Sequence, residues 1–311
     1  MSTIALNPKP TLALILKQWV IRHPFLAYFG IAFGGTWLLD LPLILGQDGL
    51  GLVPYHMPLV LYAVIFLSGS YAGPTLAALL VTATLEGKTG VRHFWRRYGQ
   101  WRVGLRWYLI ILVGYPLFFL GLVSLGLGYV PIQSLLQHWS SLFTLYLPAL
   151  LIFPAIINWG EEAGWRGFAQ TRMQPVYGVL WTSLLVGFLH GVWHLPAFLL
   201  VEGPAAMGPL QPWIFLRNTV DIMLITVVWT WIFNNTQRSI LVASLSHATW
   251  NAAQGWIGAL VPVMPKQIGV LSIDNAALLI FLLAALVVII VTKGQLGYQS
   301  SESQARKRTT E

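Results

Sequence analysis

The chain has 311 residues, of which 56% are hydrophobic and 9% are charged, and its mean hydropathy is +0.68. An ordinary soluble domain carries about 25% charged residues, so this composition excludes a soluble fold and predicts an integral membrane protein. The net charge of +8 is compatible with nucleic-acid binding, but the basic residues lie between apolar segments, where they predict membrane orientation and no nucleic-acid partner.

The N-terminal segment from Thr11 to Arg22 predicts an interfacial helix, because its apolar run is too short for a signal peptide and Lys17 follows that run at once. The apolar segments beyond it predict membrane-spanning helices. We expect eight of them, near residues 25–46, 58–85, 107–130, 143–172, 176–200, 213–235, 239–258 and 275–292. The predicted fold class is therefore an all-α polytopic membrane helix bundle.

The spans group into three regions. Residues 1–142 are expected to form a scaffold, 143–258 a catalytic core that holds most of the polar residues, and 259–311 a last transmembrane helix with a basic tail. Within the scaffold, the segment 88–107 interleaves Arg with Trp and Tyr, which is typical of an anchor at the membrane interface. Glycines at four-residue spacing predict close helix packing, at the pairs Gly30/Gly34, Gly69/Gly73 and Gly160/Gly164.

The distribution of basic residues predicts the orientation of these spans. All Lys and Arg residues except Arg217 and Lys266 lie on one side of the predicted bundle. Because cytoplasmic loops are enriched in Lys and Arg, both termini are expected to be cytoplasmic. The expected location is the inner membrane of a bacterial cell, and the sequence does not specify an oligomeric state.

The fourth span carries two adjacent carboxylates, Glu161 and Glu162, inside an apolar helix. Each buried charge costs several kcal/mol in lipid unless it is paired. Arg166 lies four residues after Glu162, so it can hold a carboxylate on the same helical face. Taken alone, this motif is also compatible with a buried ion pair that only fixes helix packing.

Two further spans add polar side chains one helical turn apart. The fifth carries His190 and His194, and the seventh carries His247 and Asn251. A helix rise of about 1.5 Å per residue places these groups and Glu161 at overlapping depths in the membrane. We therefore expect them to converge on one site.

Such a site has the parts required for hydrolysis. A desolvated carboxylate gains proton affinity and becomes a plausible general base for water, and a neighbouring imidazole can orient that water. An imidazole together with a carboxamide, as in His247 and Asn251, can donate hydrogen bonds to a developing oxyanion. Cysteine is absent, so any metal would need imidazole and carboxylate ligands.

The ordered motifs EExxxR, a His on the next helix and HxxxN on a later one resemble the CAAX prenyl endopeptidase and bacteriocin-processing family, also called CPBP or Abi, over roughly residues 140–258. The resemblance implies an intramembrane glutamic endopeptidase acting on a membrane-embedded or lipidated peptide. Glu161 with His194 would activate water, and His247 with Asn251 would form the oxyanion site. Glu162, Arg166 and His190 would support them.

The second motif departs from the usual FxxxH of that family. His194 is preferred as its histidine because Leu195 and Pro196 follow it, but this puts His190 at the aromatic position, and the reverse assignment puts Val186 there. The family has also been called a metalloprotease. No cofactor is required by the motifs, but zinc is possible, with Glu161, His194 and His247 as its ligands, although the chain lacks an HExxH helix.

Two other functions are compatible with buried Glu and His residues. One is a binding protein or bacteriocin-immunity factor that uses the same fold without hydrolysis. The other is a proton-coupled transporter, although no inverted repeat of Gly- or Pro-broken helices is present. Two further acidic residues, Asp40 and Asp221, are interpreted as boundary or packing residues near the outer ends of their spans.

Overall fold

A computed structural model describes residues 11–153, 157–203, 206–207, 210–260, 267–268 and 271–299 of the chain. Within these ranges the chain is almost entirely helical, and the strands found there are one antiparallel pair of two residues each, Gln267–Ile268 and Leu271–Ser272. The predicted all-α fold class is therefore confirmed.

The helices follow one another along the chain with short connections. In order they are α1 Leu12–Arg22, α2 Pro24–Leu45, α3 Leu59–Ser70, α4 Leu76–Arg96, α5 Leu105–Leu109, α6 Tyr115–Leu127, α7 Val130–Gln137, α8 Leu147–Phe153, α9 Trp159–Gly164, α10 Thr171–Tyr177, α11 Val179–Trp193, α12 Leu195–Phe198, α13 Pro212–Asn235, α14 Ile240–Leu260 and α15 Ile273–Val291. Wider π-helical turns join several of them, at Tyr71–Thr75, Ile110–Gly114, Leu142–Tyr146 and Trp165–Gln170, and Arg97–Gly99 forms a 3-10 turn after α4.

Four helical segments in the described part of the chain are long and apolar enough to cross a membrane: Pro24–Leu45, Leu59–Gly99, Leu105–Leu125 and Pro212–Asn235. A fifth results if Val130–Gln137 and Leu142–Ile152, which meet at an angle of 81°, form one broken span. The protein is thus an integral membrane protein, and the number of eight spans stays a prediction.

The helices outside this set differ from it for physical reasons. α11 is apolar but has only 15 residues, whereas a spanning helix needs about 20. α14 is long enough at 21 residues, but its Ser, His and Asn side chains lower its hydropathy. The predicted span 143–172 is divided among α8, α9 and α10. The helices that carry the polar residues are therefore the ones that hydropathy is least able to identify as membrane spans.

Glycines allow close approach where the core helices cross. On α11, a Cβ added at Gly187 or Gly191 would lie 2.7 Å from the Cα of Met223 or Thr219 on α13. On α9, a Cβ at Gly160 would lie 2.8 Å from the hydroxyl oxygen of Ser70. These distances are too short for any side chain, so the helices that carry the polar residues pack backbone to backbone.

The packing prediction holds for two of the three glycine pairs. A Cβ at Gly160 or Gly164 would overlap atoms of α3 and of the π-helical turn after it. In the second pair, both glycines approach α2 closely, since a Cβ at Gly73 would overlap Thr36 and one at Gly69 would lie 3.2 Å from Cγ2 of the same residue. The prediction is wrong for Gly30 and Gly34, because nothing lies within 4 Å of a Cβ added at either one.

The predicted interfacial segment 88–107 begins beside a break in a long helix. Gly87 has φ 64° and ψ −155°, which interrupts the helical backbone within α4. Glycine adopts this conformation without the steric cost that a side chain would bring. The chain can therefore change direction where the basic and aromatic residues begin.

The glycine contacts predict a difference between two valine substitutions. Gly187→Val should lower the stability of the protein by about 1–3 kcal/mol, because the added side chain forces α11 away from α13. Gly30→Val, the matched control on α2, should have little effect because the space is open. Thermal unfolding of the two purified variants in detergent checks this, and equal melting temperatures would contradict the proposed close packing.

Candidate active site

The two adjacent glutamates lie on α9, at the centre of the core helices. Glu161 is 5% exposed, Glu162 is 1% exposed and Arg166 is fully buried. Arg166 belongs to the π-helical turn Trp165–Gln170 that directly follows α9. Turns of this type are frequent at functional sites. The chain therefore places three charged groups within six residues of one apolar helix.

Glu162 is held by two partners from different parts of the fold. Its Oε1 accepts a hydrogen bond from Nη1 of Arg166 at 3.2 Å and lies 2.9 Å from Nδ1 of His247 on α14. The Nη2 of Arg166 donates to Oγ1 of Thr226 on α13, and the guanidinium lies over the ring of Trp229. This ion pair therefore links α9, α13 and α14.

Glu161 faces His190 on α11 and His194, which directly follows that helix. Its Oε2 lies 3.0 Å from Nε2 of His190 and 3.9 Å from Nδ1 of His247. The Nδ1 of His194 lies 2.9 Å from the carbonyl oxygen of His190, four residues earlier. The rings of His190 and His194 stack with centroids 5.0 Å apart, and His190 also stacks on Trp165. Both histidines therefore lie beside the same carboxylate.

These contacts determine which ring nitrogens carry protons. A carbonyl oxygen can only accept, so Nδ1 of His194 carries the proton of that bond and Nε2 keeps a lone pair in the neutral ring. An ionised carboxylate also only accepts, so Nδ1 of His247 donates to Glu162. Nε2 of His194 is thus prepared to accept a proton or bind a metal, whereas Nε2 of His247 donates only when its ring is protonated.

His247 lies between the two carboxylates. Its Nδ1 is 2.9 Å from Oε1 of Glu162 and 3.9 Å from Oε2 of Glu161.

A cavity of about 460 Å³ opens beside the cluster. Glu161, His190, His194, His247 and Asn251 all line it. Asn251 follows His247 by one turn of α14, and the rest of the wall is mostly apolar, with Trp229, Trp250 and Phe281 among its residues. The predicted site residues Glu161, His190, His194, His247 and Asn251 thus share one cavity. Glu162 and Arg166 do not line this cavity.

Three polar residues near the cluster were not predicted from the sequence. Asn218 and Asp221 of α13 line the same cavity as Glu161. Asp40 of α2 lines a second, small cavity of about 40 Å³ together with Glu161 and His194. Asp40 is 4% exposed, and its Oδ1 has no hydrogen-bond partner among the described residues. Of the two interpretations of Asp40, boundary or packing residue, its burial favours packing.

The donor set fits a metal ion. Among the described residues, one ligand atom each from Glu161, His190 and His194 can be chosen so that all lie within 4.8 Å of one another. Two imidazoles and one carboxylate are a ligand set of catalytic zinc sites. This set differs by one residue from the predicted one, since His190 replaces His247, which bonds to Glu162 instead.

Comparisons with known proteins match the same part of the chain. A model of the type II CAAX prenyl endopeptidase Rce1-like family matches residues 139–253. CAAX prenyl protease 2 of Methanococcus maripaludis is 22% identical over 224 residues, which cover 71% of this chain and 82% of that protein. The matched residues 139–253 include every residue of the polar cluster except those of α2.

The buried ion pair predicts a strong effect on stability. Arg166→Met should lower the free energy of unfolding by about 3–5 kcal/mol, because it leaves the Glu162 carboxylate buried beside one histidine only. Arg172→Met removes the partner of Glu86 in a pair whose side chains are 26% and 47% exposed, and should cost about 1 kcal/mol or less. Denaturant unfolding in detergent compares the two variants, and similar losses would contradict the structural role of Arg166.

Proposed function

We propose, from the similarity of residues 139–253 to the type II CAAX prenyl endopeptidase Rce1-like family, that this protein is a peptidase that hydrolyses a peptide bond of a membrane-associated substrate with water activated by Glu161. The observation that carries this proposal is the contact of Glu161 with His190, beside His194, at the wall of a cavity. A carboxylate that is 5% exposed and faces the site of attack is a suitable general base.

The attack step uses groups on α9 and α11. Water donates a hydrogen bond to Glu161, gives up its proton to that carboxylate and forms a bond from its oxygen to the carbonyl carbon of the substrate. Nε2 of His194, whose lone pair is free because Nδ1 donates to the carbonyl of His190, accepts the second hydrogen of the water and orients it. His190 keeps Glu161 in place.

The tetrahedral intermediate carries its negative charge on the former carbonyl oxygen. Protonated His247 and the amide of Asn251 donate hydrogen bonds to that oxygen from α14. Glu162, paired with Arg166, stabilises the imidazolium of His247 through Nδ1. This gives the second glutamate of the motif a positioning role rather than a direct one.

Collapse of the intermediate breaks the carbon–nitrogen bond. Glu161, now protonated, returns its proton to the leaving nitrogen, so that the products are a carboxylic acid and an amine, which ionise to a carboxylate and an ammonium in water, and the enzyme is restored. If the enzyme uses zinc, Glu161, His190 and His194 are the residues that would hold it, and the ion would supply Lewis-acid polarisation of water or of the scissile carbonyl.

The shape of the cavity supports a lipidated or strongly apolar substrate. A further cavity of about 210 Å³, lined by apolar side chains, lies between α6, α13 and α15. It shares Ile225, Trp250 and Phe281 with the cavity of Glu161. A lipid chain or a large apolar side chain seated there would present the adjoining peptide to the catalytic groups. We propose that this apolar cavity receives the chain next to the scissile bond.

The central experiment is peptide cleavage in proteoliposomes. Glu161→Gln should lower kcat by about 100-fold to 10,000-fold, because the amide cannot accept the proton of the water. Glu202→Gln, which changes an exposed carboxylate in a loop, is the matched control and should retain full activity. Full activity in Glu161→Gln would contradict the proposal and favour a binding protein on the same fold.

A chelator arm of the same assay addresses the metal. Activity that survives chelation is expected if the carboxylate alone activates water. Activity that is lost and then restored by zinc would assign Glu161, His190 and His194 to metal binding. Zinc binding by the wild type, absent in His190→Asn, would support that second outcome without an activity readout.

The apolar cavity predicts a substrate-specific effect. Gly114 lines it, and the nearest atom to an added Cβ there lies at 4.0 Å, so Gly114→Leu should fill the cavity without a clash. We expect KM for a lipidated peptide to rise about tenfold, because the loss of a few buried CH₂ groups costs roughly 0.8 kcal/mol each. KM for the unlipidated peptide should stay unchanged.

Gly121→Leu on α6 is the control, since a Cβ there also meets nothing within 4 Å but the residue does not line the cavity. An equal rise of KM for both peptides, or in both variants, would contradict the assignment of this cavity to the lipid chain.

A further inference from the structure

A cavity of about 670 Å³ lies between α2, α4, α10 and the turn that joins α13 to α14. It shares no lining residue with the cavity of Glu161, and the proposed hydrolysis makes no use of it. Its walls combine basic side chains with apolar ones from Phe25, Leu85 and Phe94. The cavity is thus a separate site with its own chemistry.

The charges of this cavity are unbalanced. Arg97, Arg172 and Arg238 line it, and the one carboxylate found among its lining residues in the described chain is Glu86. Glu86 already accepts a hydrogen bond from Arg172. Three guanidiniums against one carboxylate leave two positive charges, and His93, also in the wall, adds a third when it is protonated. The cavity therefore attracts an anion.

Arg97 is a buried cation without a carboxylate partner among the described residues. The residue is 6% exposed, and its guanidinium donates to three neutral acceptors: the carbonyl oxygens of Arg238 and Gly167 and the hydroxyl of Thr171, at 3.0, 2.8 and 3.0 Å. Two of its five N–H groups are outside these bonds. Among the described residues, no carboxylate lies within ion-pair distance of Arg97. A bound anion would supply the missing counter-charge.

The surroundings indicate which anion fits. The cavity adjoins the basic and aromatic segment 88–107, which is expected to lie at the membrane interface. Its outer wall is accessible, since the side chain of Glu86 is 47% exposed and that of Arg172 is 26% exposed. The apolar lining residues of α2 and α4 lie on helices long enough to cross a membrane, so an acyl chain could continue along them. A phosphate that carries acyl chains matches both features.

We propose that this cavity binds the phosphate of an anionic phospholipid of the leaflet that the basic segment faces. The bound headgroup contacts Arg97, Arg172 and Arg238, and the acyl chains lie along α2 and α4. A zwitterionic headgroup fits less well, because its ammonium group would bring a further positive charge next to these guanidiniums.

The position of Arg97 connects this lipid site to the polar cluster. Thr171 accepts a hydrogen bond from Arg97 and donates one to the carbonyl oxygen of Arg166 at 2.7 Å. Arg97 also holds the carbonyl of Gly167, the next residue. A phosphate that fixes Arg97 therefore stabilises the π-helical turn that carries Arg166. We expect lipid binding to raise the thermal stability of the protein.

The test is a lipid titration of the purified full-length protein in detergent, read by native mass spectrometry and by the melting temperature. Phosphatidylglycerol should be retained and should raise the melting temperature, whereas phosphatidylcholine and inorganic phosphate should do neither. In Arg238→Gln the affinity for phosphatidylglycerol should fall on the order of fivefold to tenfold. Arg106→Gln removes an equal charge from an exposed residue of the same basic segment outside the cavity, and should behave as the wild type.

A second variant tests the same site in case Arg238→Gln does not fold. His93 is exposed and lines the cavity, so His93→Glu should fold and should weaken phosphatidylglycerol binding. Equal effects of phosphatidylcholine would overturn the anionic assignment, and an equal shift with inorganic phosphate would overturn the lipid assignment. Equal loss in Arg106→Gln would show general surface attraction and overturn the site. Each readout is binding or stability, so the result does not depend on whether the protein cleaves peptides.

Discussion

The ion pair between Glu162 and Arg166 is the interaction on which the rest of the polar cluster depends. It lies among apolar helices, where neither charge is tolerated without the other. Because Glu162 also accepts from His247 and Arg166 also donates to Thr226, the pair fixes α9 relative to α13 and α14. Glu161, the adjacent residue, is then directed at His190 and His194. One pair of charges thus determines where four helices meet.

The same pair gives a physical reason for two adjacent glutamates. A carboxylate that takes up and returns a proton has to change its charge, whereas a carboxylate that anchors a helix has to keep it. Glu162 forms an ion pair with the guanidinium of Arg166 at 3.2 Å. Within the described part of the chain, the ion-pair contacts of Glu161 are with imidazoles, those of His190 and His247. The two roles are therefore divided between neighbouring residues that differ mainly in their distance from Arg166.

Much of the core could be predicted from the sequence, because charged and imidazole side chains are expensive in apolar helices and so indicate a site. That reasoning identified Glu161, Glu162, His190, His194 and His247. It could not decide between His190 and His194, since both lie on one helical face, and the structure places both beside Glu161. The convergence of these residues could be predicted because burying each of them alone in an apolar helix costs free energy. The individual contacts depend on the rotation and tilt of each helix, which a sequence pattern does not contain.

Asp40 shows the limit of the same reasoning. A buried carboxylate is as costly in Asp40 as in Glu161, but the position of Asp40 near the outer end of its predicted span led to its interpretation as a boundary or packing residue. The structure buries it beside the same cluster, because α2 crosses the core close to α12 and His194. Glycine spacing had a similar limit. Gly30 and Gly34 have the same spacing as Gly160 and Gly164, but they face open space. The spacing shows that two glycines share one face of a helix, but it does not show which helix packs against that face.

The π-helical turn Trp165–Gln170 has a consequence for how chains of this kind can vary in length. An α-helix advances about 100° per residue, and a π-helical turn holds one residue more than an α-helical turn. Deleting a single residue from this turn would restore regular winding and rotate α10 by about that angle, while α9 and its glutamates stay in place. One-residue insertions and deletions in the part of this turn that follows Arg166 would thus change which face of α10 packs on its neighbours, while the glutamates and Arg166 stay in place.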